Sequence, residues 1–179
     1  MQTEAHPLES FFYQAVRNSY EGKLGLNDPE LTLYVARMLC EFSEPRNLSK
    51  LHEATAHTIE AFEQMVRDSD PVNGTAHSFE TERAMRKYIG DSTLFIGGLC
   101  LDTAEEGEAV SAGDRAMLEE LIRIGKESYF VVSQFDVYEY EREAPLFARL
   151  SEQFERCVLG LSLIRKELAA VKAQPPAEA

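Results

Sequence analysis

The sequence predicts an all-α protein, a single-domain bundle of about six mostly antiparallel helices with a buried second helix at its centre. Three observations carry this reading. Apolar residues recur at spacings of three and four rather than two, the breaks between periodic stretches hold residues that start and stop helices, and the links are short enough to favour antiparallel neighbours. The 179 residues, 44% apolar and 27% charged, suit one globular domain over 1–172 and a frayed tail at 173–179.

Each element follows from its own residues. The first helix spans Leu8 to Lys23 with Phe12, Val16 and Tyr20 in one stripe, and Leu24-Gly25-Leu26-Asn27 closes it. The second opens at Asp28-Pro29-Glu30, where Asp caps, Pro fixes φ at the first helical position and Glu suits the dipole; it ends before Pro45. Leu31, Val35, Met38, Leu39 and Phe42 form one face, while Leu33, Ala36 and Cys40 lie opposite, which predicts packing on two sides. A third helix over Leu48–Asp68 turns inward Leu51, Ile59, Phe62, Met65 and Val66, and Asp70-Pro71-Val72-Asn73-Gly74 reverses the chain.

The fourth helix, Ser78 to Leu99, places Met85, Tyr88, Ile89, Phe95, Ile96 and Leu99 on one arc, with Gly90 and Gly97-Gly98 as points of weakness. An acidic connection, Leu101 to Gly113, leads to a fifth helix, Asp114–Phe135, that buries Leu118, Leu121, Ile122, Ile124, Tyr129 and Val132. The sixth starts at Ala144-Pro145 and continues to Val171 along Leu146, Phe147, Leu150, Phe154, Cys157, Leu161, Ile164 and Leu168. Strand-like pieces at 129–132 and 137–140 are too short to build a sheet.

Charge and cysteines exclude several functions. Eighteen Lys and Arg against 31 Asp and Glu give a net charge of −13, which repels nucleic acid and anionic membranes. Neither a secretory signal nor an apolar run of membrane-spanning length is written in the chain. Cys40, Cys100 and Cys157, odd in number and each in an apolar stretch, read as small buried hydrophobes in a reducing cytoplasm rather than a disulfide framework.

Metal-binding patterns fail on spacing. His52 and His57 are five apart, about 140° around a helix, and cannot hold one ion together; Glu53, His57 and Glu60 share a face, but one opposite the apolar stripe and suited to solvent. No cofactor or metal is therefore expected. Ser92, Ser128, Ser133 and Ser162 lie within helices without a nucleophile elbow.

The one concentration of positive charge is Arg83, Arg86 and Lys87. Arg83, Arg86, Gly90 and Gly97 fall within about 60° of each other on a helical wheel, where glycine permits close approach and arginine receives a carboxylate or phosphate. These five residues form the candidate site for a small anionic ligand. Phe130, and the i, i+4 pair Leu159 and Leu163, stand off the apolar stripes and are the candidate interface of a homodimer. The function expected is that of a cytoplasmic, non-catalytic helical domain acting by self-association and by protein or small-ligand binding. The alternative is a small enzyme whose site lies between helices, with Tyr88, Ser92 and Ser128 as its inward polar groups.

Overall fold

Helix starts are the most local features of this chain, and the computed structural model, which describes residues 7–49, 58–101 and 111–173, shows how they are built. The Asp28 Oδ1 accepts from the Leu31 amide at 3.1 Å, and α2 runs Pro29–Ser43. Ser78 caps α4, Phe79–Phe95, and Ser111 caps α5, Ala112–Ser133, each through its hydroxyl to the amide three residues on. α1 is Pro7–Arg17 and α3 is Thr58–Asp68. Residues 45–49 are also helical; the middle of the predicted third helix, including Leu51, lies outside the described residues. The chain is all-α, with no strand among the described residues. Residues 129–132 belong to α5, and Tyr138–Tyr140 form a single 3₁₀ turn.

The predicted sixth helix is two helices. α6, Ala144–Glu152, ends at Gln153, and α7, Phe154–Ala173, begins immediately after it. No Gly or Pro marks the break; tertiary contacts impose it. Ser151 Oγ donates to the Lys126 carbonyl of α5 at 2.8 Å, and Arg149 reaches Asp28 and Glu30 on α2. The apolar stripe continues across the break, buried from Leu146 through Ile164, whereas Leu168 is exposed.

Glycine shapes the packing of α7. α1 continues into a π-helical turn, Asn18–Lys23, and α4 into a second, Ile96–Cys100; both pack on α7. In the first, Ser19 Oγ donates to the Gly160 carbonyl at 2.7 Å and the Tyr20 hydroxyl to the Cys157 carbonyl at 3.0 Å. A Cβ on Gly160 would lie 2.3 Å from the Tyr20 ring, and one on Gly98 would lie 2.4 Å from Leu161 Cβ. The glycine pair predicted to weaken the fourth helix thus sits where that helix widens and takes α7 into contact.

Burial falls differently from the sequence reading. α2 keeps Arg37 and Glu41 exposed and covers Leu33 and Cys40 only partly, so its second face is not packed like its first. The stretch covered on all sides is Ile89–Gly98, in which only Phe95 is incompletely buried. The reason lies in its neighbours. The Tyr129 ring of α5 rests on Gly90 from one side, while Phe42 of α2 stacks on Phe95 with centroids 5.0 Å apart from the other.

Candidate functional site

α4 carries the site because it crosses from solvent into this core. Its second and third turns hold Arg83, Arg86 and Lys87, and its fourth holds Asp91, an ionisable residue 5% exposed amid small and apolar neighbours. Such a carboxylate requires partners. Asp91 Oδ1 accepts from the Tyr34 hydroxyl of α2 at 2.6 Å and the Tyr129 hydroxyl of α5 at 2.7 Å, and Lys87 Nζ donates to Oδ2 at 2.9 Å. One carboxylate therefore joins three helices. Burial, and then the Asp91 charge, pushes both phenols well above their ordinary pKa, so they remain hydrogen-bond donors at neutral pH. Gly90 makes this reach possible, since a Cβ there would lie 2.5 Å from the Tyr129 ring.

Arg83 is buried, with its guanidinium carbon 4.0 Å from the Tyr140 ring centre and 5.6 Å from that of Phe147. Its Nη2 donates to Glu143 Oε2 at 2.6 Å, while its Nε is buried without a hydrogen-bond acceptor. Lys87 lies 5.3 Å from the centre of the Tyr34 ring. Between α2 and α4, Arg83 and Lys87 line a cleft of about 260 Å³ with Glu41, Phe42, Tyr88 and Asp91. Lys87 is matched by Asp91, and Arg83 by Glu143, whose side chain is 57% exposed, while Glu41 adds a further carboxylate to the lining.

The five predicted ligand residues do not converge on one point. Arg83 and Lys87 share the cleft. Arg86 is outside its lining, with Nη1 3.8 Å from Glu127 Oε1 on α5 and with Nε and Nη1 lacking hydrogen-bond acceptors. Gly90 faces Tyr129, and Gly97 sits two turns on against Leu118 and Val158. The wheel that grouped them is right about their common side, but that side is covered: Arg83, Arg86, Gly90 and Gly97 are buried while Tyr88 is half-exposed. Sequence reasoning missed Asp91 and its two tyrosines. The available signal was a lone acid in the otherwise uncharged run Ile89–Cys100.

The remaining candidates divide. Phe130 and Leu159 are about half exposed and Leu163 is partly covered. Ser92 and Ser128 are buried with hydroxyls lacking hydrogen-bond partners, and neither lines a cavity described here. Glu53 and His57 of the possible metal face lie outside the described residues, and among the described residues no group of three or more His, Cys, Asp or Glu is placed to hold a metal ion. No helix of the described residues is long and apolar enough to cross a membrane. No protein-family model, curated protein or solved structure matches this chain.

Proposed function

We propose that this chain is a non-catalytic cytoplasmic binding domain, a bundle whose cleft between α2 and α4 takes a small molecule bearing a carboxylate or phosphate. The observation that supports the reading is Arg83: a buried guanidinium, set over the Tyr140 ring, whose partner is a carboxylate more than half exposed on a connecting segment. An incoming anion replaces Glu143 at that guanidinium without moving a helix, and Phe42 and Tyr88 receive the ligand's apolar part. Asp91 lines the cleft and is held in place by the hydroxyls of Tyr34 and Tyr129. Self-association is the second part of the proposal, supported by Leu159 and Leu163 lying one turn apart on an incompletely covered face of α7, with Phe130 as a further exposed contact.

Thermal melts with carboxylated and phosphorylated metabolites test the cleft. A ligand at a hundredfold its Kd adds about 2.7 kcal/mol, a shift of about 5 °C or more for a domain of this size. Lys87→Met should diminish the shift and Glu143→Gln should enlarge it, because the latter removes the internal competitor. Arg86→Gln, outside the cleft, should leave the ligand-induced shift unchanged. No stabilising compound, or a shift indifferent to Glu143→Gln, overturns the reading.

A further inference from the structure

A second, larger concavity lies at the other end of α2. α1 and α2 run antiparallel, tied by Arg37 Nε to Glu9 Oε1 at 3.1 Å, and between them opens a groove of about 530 Å³, within the range of small-molecule sites. Tyr13, Pro29 and Leu33 give it apolar walls. Among the described residues its charged lining is Glu9 on α1 and Glu30 on α2, with no Lys, Arg or His. Glu9 gives Oε1 to Arg37, and Glu30 gives Oε2 to Arg149 at 2.5 Å, so among the described residues Glu9 Oε2 and Glu30 Oε1 hold no partner. Ser10, Tyr13 and Gln14 complete its α1 side, with Ser10 and Gln14 exposed and Tyr13 partly covered.

An apolar groove flanked by two carboxylates, each with one oxygen held by an arginine outside the lining and the other open, is complementary to a molecule that is apolar in body and carries a positive hydrogen-bond donor at one end. We propose that this groove binds a small amphiphilic organic cation, an aryl- or alkylammonium, with the apolar body on Tyr13, Pro29 and Leu33 and the ammonium donating to Glu9 Oε2 or Glu30 Oε1. The net charge of −13 enriches such cations near the surface. The apolar walls select among them, since a bare counterion gains nothing there. This site is separate from the cleft between α2 and α4 and opposite to it in the sign of its ligand.

Three probes that share a phenethyl group decide it: phenethylammonium, phenethyl alcohol and 3-phenylpropionate, titrated at neutral pH while backbone amide resonances are followed by NMR. Phenethylammonium should shift the amides of residues 10–14 and 30–33 and saturate, binding at least about threefold more tightly than the alcohol, with the carboxylate weakest. Glu9→Gln with Glu30→Gln should remove the advantage of the amine while leaving the alcohol unchanged. Leu33→Arg, which puts a cation in the groove and leaves the buried face of α2 intact, should abolish amine binding. Equal binding of amine and alcohol, or amine shifts that spread over the acidic surface without saturating, overturns the proposal.

Discussion

Two glycines seven residues apart do different work, and the difference is measurable. A Cβ at position 90 would lie 2.5 and 2.6 Å from two carbons of the Tyr129 ring, which cannot retreat without withdrawing its hydroxyl from Asp91. Gly90→Ala should therefore destabilise by about 1–3 kcal/mol through overpacking, and more if the buried carboxylate loses its donor. A Cβ at position 97 meets Leu118 at 3.4 Å and Val158 at 3.7 Å, which is ordinary contact. Gly97→Ala should stay within about 1 kcal/mol of the parent, since the helical gain of alanine offsets the slight crowding. Urea midpoints for the two variants check the pair; equal losses would contradict the assigned roles. The glycine spacing was legible in the sequence. Which of the two carries a ring was not, because that depends on the register of α5 against α4.

The start of α2 links two helices through one side chain. Asp28 gives Oδ1 to its own helix and Oδ2 to Arg149 of α6, at 2.6 Å. Burial would raise its carboxyl, but the Arg149 hydrogen bond and the Leu31 amide outweigh burial and hold it below the ordinary carboxylate range. A depressed carboxyl contributes stability above its unfolded pKa and loses it as pH falls through the folded value, so this contribution is intact at neutral pH and declines below about pH 4. Asp28→Asn should keep the cap, lose the ion pair and flatten the acid limb of stability against pH. Asp28→Ala should also cost the cap, about 1–2 kcal/mol at neutral pH. Denaturation midpoints from pH 3 to 7 check both. The cap itself was legible from Asp28-Pro29-Glu30, since capping is local. The break at Gln153 was not, because it is imposed by Ser151 and Arg149 holding α6 to other helices while the apolar stripe runs on unbroken.

At the scale of the molecule, the buried acids and the surface charge make separate demands on solution conditions. Tyr20 and Tyr129 are fully buried; burial raises both phenols well above 10, and it pushes the Cys157 thiol up to about 12. Groups raised on folding give their stability below the unfolded pKa and lose it as pH climbs toward the folded one, so stability should hold to about pH 9 and fall steadily above it. Thiol reagents at neutral pH should leave Cys157 unlabelled in the folded chain and reach exposed Cys100. Charge bears on assembly. Each copy carries −13, so association through the Leu159 and Leu163 face works against repulsion that extends about 10 Å at 0.1 M salt and about 3 Å at 1 M. The site was partly legible in the same way: the sequence showed where the cations lie against this acidic background, while the carboxylates that match them, Glu143 and Asp91, emerge only when the helices meet. Sedimentation at micromolar concentration should then show a monomer–dimer equilibrium that shifts toward dimer as salt rises. Leu159→Glu should return the chain to monomer at every salt concentration while melting like the parent at dilutions where the parent is itself monomeric, because the side chain is half exposed in the single copy. A monomer at high salt, or a dimer indifferent to Leu159→Glu, removes α7 as the interface.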